Sequence, residues 1–162
     1  MVSDTEIRPA VPADIPALAK LWHEGWHWSH AAVVPKALTV LRTEDSFAER
    51  LSAMIGDLRV IGPTAAPVGF CAVRPGEIYQ LFVGPEGRGT DIARRLIADG
   101  EARIAAAGHD TAWLSCSIGN DRAAAFYRKC GWTLRGEEEV MLDTSDGSFA
   151  LVTWIFQKTV ST

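Results

Sequence analysis

Apolar residues recur at two different spacings along this chain, and the spacings divide it into helices and strands. After a short strand at Glu6–Pro9, Asp14 stands as an N-cap before Ile15–Trp22, and aromatic and histidine residues then crowd together from Trp22 to His30. Phe47, Leu51 and Met54 or Ile55 fall at helical spacing, which predicts an amphipathic helix over Glu44–Ile55. The middle of the chain switches to strands. Leu58–Ile61, Val68–Arg74 and Glu77–Val83 are separated first by Pro63 and Pro67, then by the tight turn Arg74-Pro75-Gly76-Glu77. A long helix from Asp91 to Ala107 closes at Gly108, a strand covers Thr111–Ser117, and a helix from Asp121 to Cys130 closes at Gly131. Trp132–Leu142 and Phe149–Gln157 make a last strand pair around Ser145-Asp146-Gly147.

The order is strand, two helices, three strands, helix, strand, helix, two strands. It predicts one α/β (α+β) domain over residues 1–162, with a mixed sheet of about seven strands. Length agrees, since 162 residues suit a single core.

Charge and cysteine content narrow the setting. A net charge of −4 argues against broad nucleic-acid binding, which needs a basic face, and leans weakly toward a cationic small-molecule partner. Cys71, Cys116 and Cys130 lie far apart with no C-x-x-C pair, as expected of reduced thiols in a cytosolic compartment. No apolar stretch approaches the roughly 18 residues of a membrane span, and no charged-then-apolar leader opens the chain. The expectation is a cytoplasmic protein without membrane contact.

Two segments carry candidate chemistry. In Leu81-Phe82-Val83-Gly84-Pro85-Glu86-Gly87-Arg88-Gly89-Thr90-Asp91-Ile92-Ala93-Arg94-Arg95-Leu96 a strand runs through a Gly/Pro turn straight into a helix. Free N–H groups of such a turn and of the first helical turn can cradle a phosphate. A plain strand–loop–helix connection uses the same glycines, so this segment alone leaves both readings open. The second segment is Asn120-Asp121-Arg122-Ala123-Ala124-Ala125-Phe126-Tyr127-Arg128-Lys129-Cys130-Gly131-Trp132. Phe126 is placed to enter the core, and Tyr127, about 100° around the helix, to face a cleft. There its hydroxyl could donate a proton to a leaving group.

Together the two segments resemble the GNAT superfamily of N-acetyltransferases. Pro85, Arg88, Gly89, Ala93 and Leu96 match a P-x-x-R-G-x-G-x-A-type loop, with Asp91 where a glycine usually stands. Asn120, Ala123, Phe126, Tyr127 and Gly131 match N-x-x-A-x-x-F-Y-x-x-x-G-F, with Trp132 in place of phenylalanine. The resemblance implies a mostly antiparallel seven-stranded sheet flanked by about four helices, and acetyl-CoA as co-substrate with an amine acceptor. It places the pantetheine arm along Leu81, Phe82 and Val83, with an oxyanion-binding N–H near Phe82. Arg88, Gly89, Thr90, Asp91, Ile92, Ala93 and Arg94 would hold the pyrophosphate. Asn120 and Phe126 would contact the cofactor, and Tyr127 would protonate the CoA thiolate. Glu77, eleven residues before Arg88, resembles the base glutamate of histone-type members. A non-catalytic acyl-CoA-binding module, motivated by Asp91, is the alternative. A homodimer through the last strands is compatible with the pattern.

A rival motif offers a second alternative, a zinc hydrolase. His23-Glu24-Gly25-Trp26-His27 matches H-E-x-x-H, which on a helix sets two imidazoles on one face for zinc, with His30 as a third ligand. Gly25 costs that helix about 1 kcal/mol against alanine, and His30 occupies the place of the glycine in the extended pattern. Trp22, Trp26 and Trp28 suit an aromatic wall better than a metal site. In the GNAT-like reading the first helices roof the acceptor pocket, with Trp26, His27, Trp28 and His30 shaping the amine site and the tryptophans available for cation–π contact. No metal is expected.

Overall fold

The computed structural model describes residues 6–144 and 146–161. The elements run β1 (Ile7–Pro9), α1 (Ile15–His30), α2 (Lys36–Thr39), α3 (Glu44–Ala53), β2 (Leu58–Ile61), β3 (Gly69–Arg74), β4 (Glu77–Val83), α4 (Ile92–Ala106), β5 (Thr111–Ser117), α5 (Asp121–Lys129), β6 (Thr133–Thr144) and β7 (Gly147–Thr159). Seven strands pair in the order β1-β2-β3-β4-β5-β7-β6, antiparallel throughout except between β4 and β5. The α+β class and the strand count match expectation.

Helices cover both faces of the sheet. On one face Leu18, Ala19, Trp22 and Trp26 of α1 pack with Phe47 and Leu51 of α3 on Val60, Phe70 and Ala72. On the other, Leu96, Ile97 and Ile104 of α4 and Ala124 of α5 pack on Cys71, Ile78, Ala112 and Leu114. The buried spacing 18, 22, 26 is that of one helical stripe, so α1 continues to His30 where the crowded tryptophans and histidines obscured its end. Gly100 lets α4 sit close: a Cβ there would stand 2.6 Å from Ile78 Cδ1.

Several local expectations change. Asp14 begins α1 without capping it by its side chain. Its fully buried carboxylate instead pairs with Arg8 at 2.8 Å and accepts the N–H groups of Val11 and Ala65. Burial alone would raise its pKa, but the Arg8 bond and the two N–H donors outweigh that and hold it low. A fifth helix, the single turn α2, was not foreseen, and the helix from Glu44 ends at Ala53 with a 3-10 turn over Ile55–Asp57. The last hairpin is longer than expected, reaching Thr144 and Thr159, and of its expected turn Ser145 lies outside the described residues.

Thr43 caps α3, its side chain accepting the Ser46 N–H at 3.1 Å. Thr43→Ala is expected to lower stability by about 1 kcal/mol. Calorimetry should record a melting temperature reduced by about 2–4 °C.

Candidate functional site

One hydrogen-bonding register builds the site. β4 and β5 meet only at Glu77↔Trp113, and beyond that pair the strands diverge. Gly84 donates its N–H to Val68 on the β3 side, and Phe82 pairs with Phe70. Antiparallel alternation therefore turns the N–H groups of Leu81 and Val83 to the open edge facing β5. The expected oxyanion donor near Phe82 belongs to its neighbours, since the Phe82 N–H is directed to β3. The opened edge forms one wall of a cleft of about 650 Å³.

At the end of β4 the chain turns through Gly87–Thr90 into α4. A Cβ on Gly87 would stand 2.3 Å from Val83 Cγ1, and Gly89 adopts φ +74°, so both positions favour glycine. The N–H groups of Gly89, Asp91, Ala93 and Arg94 take no partner among the described residues. That is the donor set a phosphate requires at a helix N-terminus. Arg88, Gly89, Thr90 and Ala93 line the cleft; Asp91, Ile92 and Arg94 stand outside its lining. Asp91 is exposed and its carboxylate makes no capping bond, so it leaves those donors free.

Asn120 caps α5 by accepting the Ala123 N–H at 3.3 Å, which leaves its amide NH2 free to donate into the cleft. Phe126 and Tyr127 both line the cleft, their rings 5.6 Å apart. A Gly/Arg cradle at a helix N-terminus, an open strand edge and a tyrosine thus share one groove. The model of the "Acetyltransferase (GNAT) family" matches residues 20–132, most of the chain and all of these parts. This chain is a member of the GNAT acetyltransferase family.

Solved structures agree on the fold. A GCN5-related N-acetyltransferase from Rhodopseudomonas palustris is 25% identical at TM-score 0.74, over 98% of both chains. PaiA N-acetyltransferase from Thermoplasma acidophilum, solved with coenzyme A, is 19% identical at 0.69, over 95% of this chain and 98% of its own. YncA from Salmonella typhimurium, solved with acetyl-CoA, is 15% identical at 0.69, over 99% and 96%. No curated protein sequence matches significantly.

Away from the cradle, the cleft is lined by α1, the α2–α3 segment and the first half of β4. Gly25 lies over Phe82, where a Cβ would make contact at 3.4 Å. Trp26 and His30 stack, ring centroids 5.1 Å apart, and both line the cleft, as does Trp28. His27 does not: its Nε2 bonds the Arg42 carbonyl at 2.7 Å, so it braces the α2–α3 segment rather than the pocket. That bond also occupies the second histidine of the H-E-x-x-H pattern. Among the described residues no three His, Cys, Asp or Glu side chains converge as a metal site.

The tryptophan faces are already taken by the chain's own arginines. Arg50 lies 4.5 Å from the Trp22 ring, Arg42 5.7 Å from Trp26, and Trp28 sits between Arg88 and Arg122 at 4.5 and 4.9 Å. These rings thus already make cation–π pairs within the chain. Four arginines line the cleft against a single carboxylate, Asp121, so its charge is opposite to that of the whole chain.

Titratable groups complete the picture. Burial raises the Tyr127 pKa above the usual phenol range, so the hydroxyl is protonated and a donor. Burial likewise pushes Cys116, which lines the cleft and was not foreseen, up to about 12. His30 is held down to about 4, mainly by burial and also by the Arg42 charge, and stays neutral at pH 7. Glu77 does not line the cleft. Burial raises it to about 7 against the pull of Arg74, with Asp143 adding to the rise.

Proposed function

We propose that the chain transfers an acetyl group from acetyl-CoA to a primary amine by direct attack in a ternary complex. The observation that carries this reading is the β4 edge, opened by the single β4–β5 register pair and running straight into the phosphate cradle. The pantetheine arm adds to that edge as a strand would, bonding the backbone of Leu81 and Val83 and the Asn120 amide. Arg88 and the N–H groups of Gly89, Asp91, Ala93 and Arg94 hold the pyrophosphate.

The neutral amine attacks the thioester carbonyl carbon, forming the C–N bond, while a β4 N–H stabilises the oxyanion. The C–S bond then breaks and the sulfur takes the Tyr127 proton. In water a thiolate is too weak a base to deprotonate a phenol. The transfer therefore accompanies C–S cleavage, so that no free thiolate forms in a cleft whose burial disfavours the anions of both Cys116 and Tyr127. The proton lost by the amine passes to Glu77 through water, because that carboxylate stands behind the lining and not in it.

The protonated Cys116 thiol favours direct attack over a covalent acyl-enzyme. Incubation with acetyl-CoA alone is therefore expected to leave the protein mass unchanged, and a stable acetyl adduct on Cys116 would refute the ternary route. The reaction itself is tested by acetyl-CoA-dependent thiol release with a panel of amines. Tight CoA binding without release for any amine would favour a non-catalytic module.

Asp91 bears on the cofactor through space alone. Asp91→Asn removes an exposed negative charge beside the cradle and is expected to tighten CoA binding about three- to fivefold at low salt. The gain should fade at high salt, which screens exposed charges. Calorimetric titration at two salt concentrations checks it, and weaker binding in the variant would show that the carboxylate organises the loop.

A further inference from the structure

The acceptor end of the cleft holds more positive charge than its own residues neutralise. Arg42, from the α2–α3 segment, is 3% exposed, and Arg50 of α3 is half-buried; both line the cleft. Among the described residues neither forms an ion pair with a carboxylate. Arg42 donates to the backbone carbonyl of Asp143, and Arg50 to the Tyr79 hydroxyl at 3.0 Å. The Asp143 carboxylate is already taken by Arg74 at 2.6 Å and by the Tyr79 hydroxyl at 2.8 Å. Three guanidinium groups thus surround Asp143, with Glu77 as the other carboxyl interacting there. Burial, with the repulsion of the Arg50 charge, lowers Arg42 to about 10.

Unsatisfied polar atoms point to the same place. Buried side-chain nitrogens and oxygens without a hydrogen bond fall in two groups among the described residues. One lies within the Arg59–Asp99–Arg103 ion-pair cluster; the other belongs to Trp22, Arg42, Arg50 and Thr153, all of which line the cleft. Buried charges left without a counter-ion are costly, and a site carrying them is complementary to an anion. Trp26, Leu38 and Leu142 add apolar surface to the same cleft.

We infer that the amine acceptor carries a carboxylate, bound by Arg42 and Arg50 at the end of the cleft opposite the phosphate cradle, and that it is a free amino acid with an apolar side chain. This rests on the acetyl-transfer reading above. The Tyr79–Val83 segment of β4 separates the two ends, a rise of about 3.3 Å per residue. The cofactor's pyrophosphate and the acceptor's carboxylate therefore bind separate arginines. A polyamine or aminoglycoside would bring further cations against two unpaired guanidinium groups.

The test is thiol release from acetyl-CoA with apolar amino acids and their matched amides, each pair differing only at the carboxylate. The amide's amine is the less basic and more often neutral, so basicity alone would favour the amide. The expected result is a kcat/KM for the acids at least about tenfold above the amides. Arg50→Gln should bring that ratio close to one, with Arg50→Lys keeping part of it. Equal or faster turnover of amides or polyamines overturns the inference, as does an acid preference that Arg50→Gln leaves unmoved. Calorimetry separates the two readings. If acetyl-CoA does not bind, the transfer reading falls and this one with it. If acetyl-CoA binds and amines lacking a carboxylate are the ones acetylated, the transfer reading stands and the carboxylate assignment fails. CoA binding with turnover of no amino acid likewise overturns it.

Discussion

Tyr127→Phe is expected to lower kcat about 100-fold, the low end for loss of a positioned general acid. By transition-state arithmetic that is about 2.7 kcal/mol. The substitution keeps the ring that packs near Phe126 and Phe156, so the fold and CoA affinity should change little. The hydroxyl makes no hydrogen bond within the described residues, and its removal leaves no partner stranded. A loss confined to KM would make Tyr127 a binding residue instead. Unchanged kcat would leave it as packing and require another donor for the thiolate.

The second large effect is a pH profile. With Glu77 raised to about 7 by burial, kcat/KM should rise with pH through that value and level off above it, as the carboxylate ionises. Glu77→Gln should remove this limb and lower the plateau about 100-fold. The sign matters for stability too. A carboxyl whose folded pKa lies above its unfolded value favours the folded state when protonated, so Glu77 destabilises the protein as pH rises past about 4.5 toward 7. The variant should therefore gain slightly in stability at pH 8 while losing activity. A mutant profile that overlays the wild type would return the proton to another acceptor, with His30 the neutral base that lines the cleft.

The half of the cleft proposed for the cofactor was legible in the sequence because its chemistry is backbone chemistry. Glycines at 87 and 89 and an Asn-to-Tyr helix have to be contiguous to work, and contiguous patterns can be read along a chain. The β3–β4 hairpin was legible for the same reason, through Pro75-Gly76. The acceptor half was not. Arg42 and Arg50 belong to no motif along the chain, and distant strands account for their burial: the Asp143 carbonyl of β6, 101 residues from Arg42, and the Tyr79 hydroxyl of β4 beside Arg50. Asp14 read as a local cap, yet its partners Arg8 and Ala65 come from β1 and from the loop after β2. His27 read as a pocket residue because it follows Trp26, but a helix turns about 100° per residue and carries it to the Arg42 carbonyl. The tryptophans read as receptors for a substrate cation, and the cations the structure sets beside them are the chain's own arginines.

A crystal structure of the chain with CoA tests the central claim most directly. The account predicts pantetheine along the Leu81–Val83 edge, bonded to those two backbones, with the pyrophosphate at Gly89–Arg94 and the sulfur within hydrogen-bond reach of the Tyr127 hydroxyl. CoA bound elsewhere, or in the cleft with its sulfur remote from Tyr127, would contradict it.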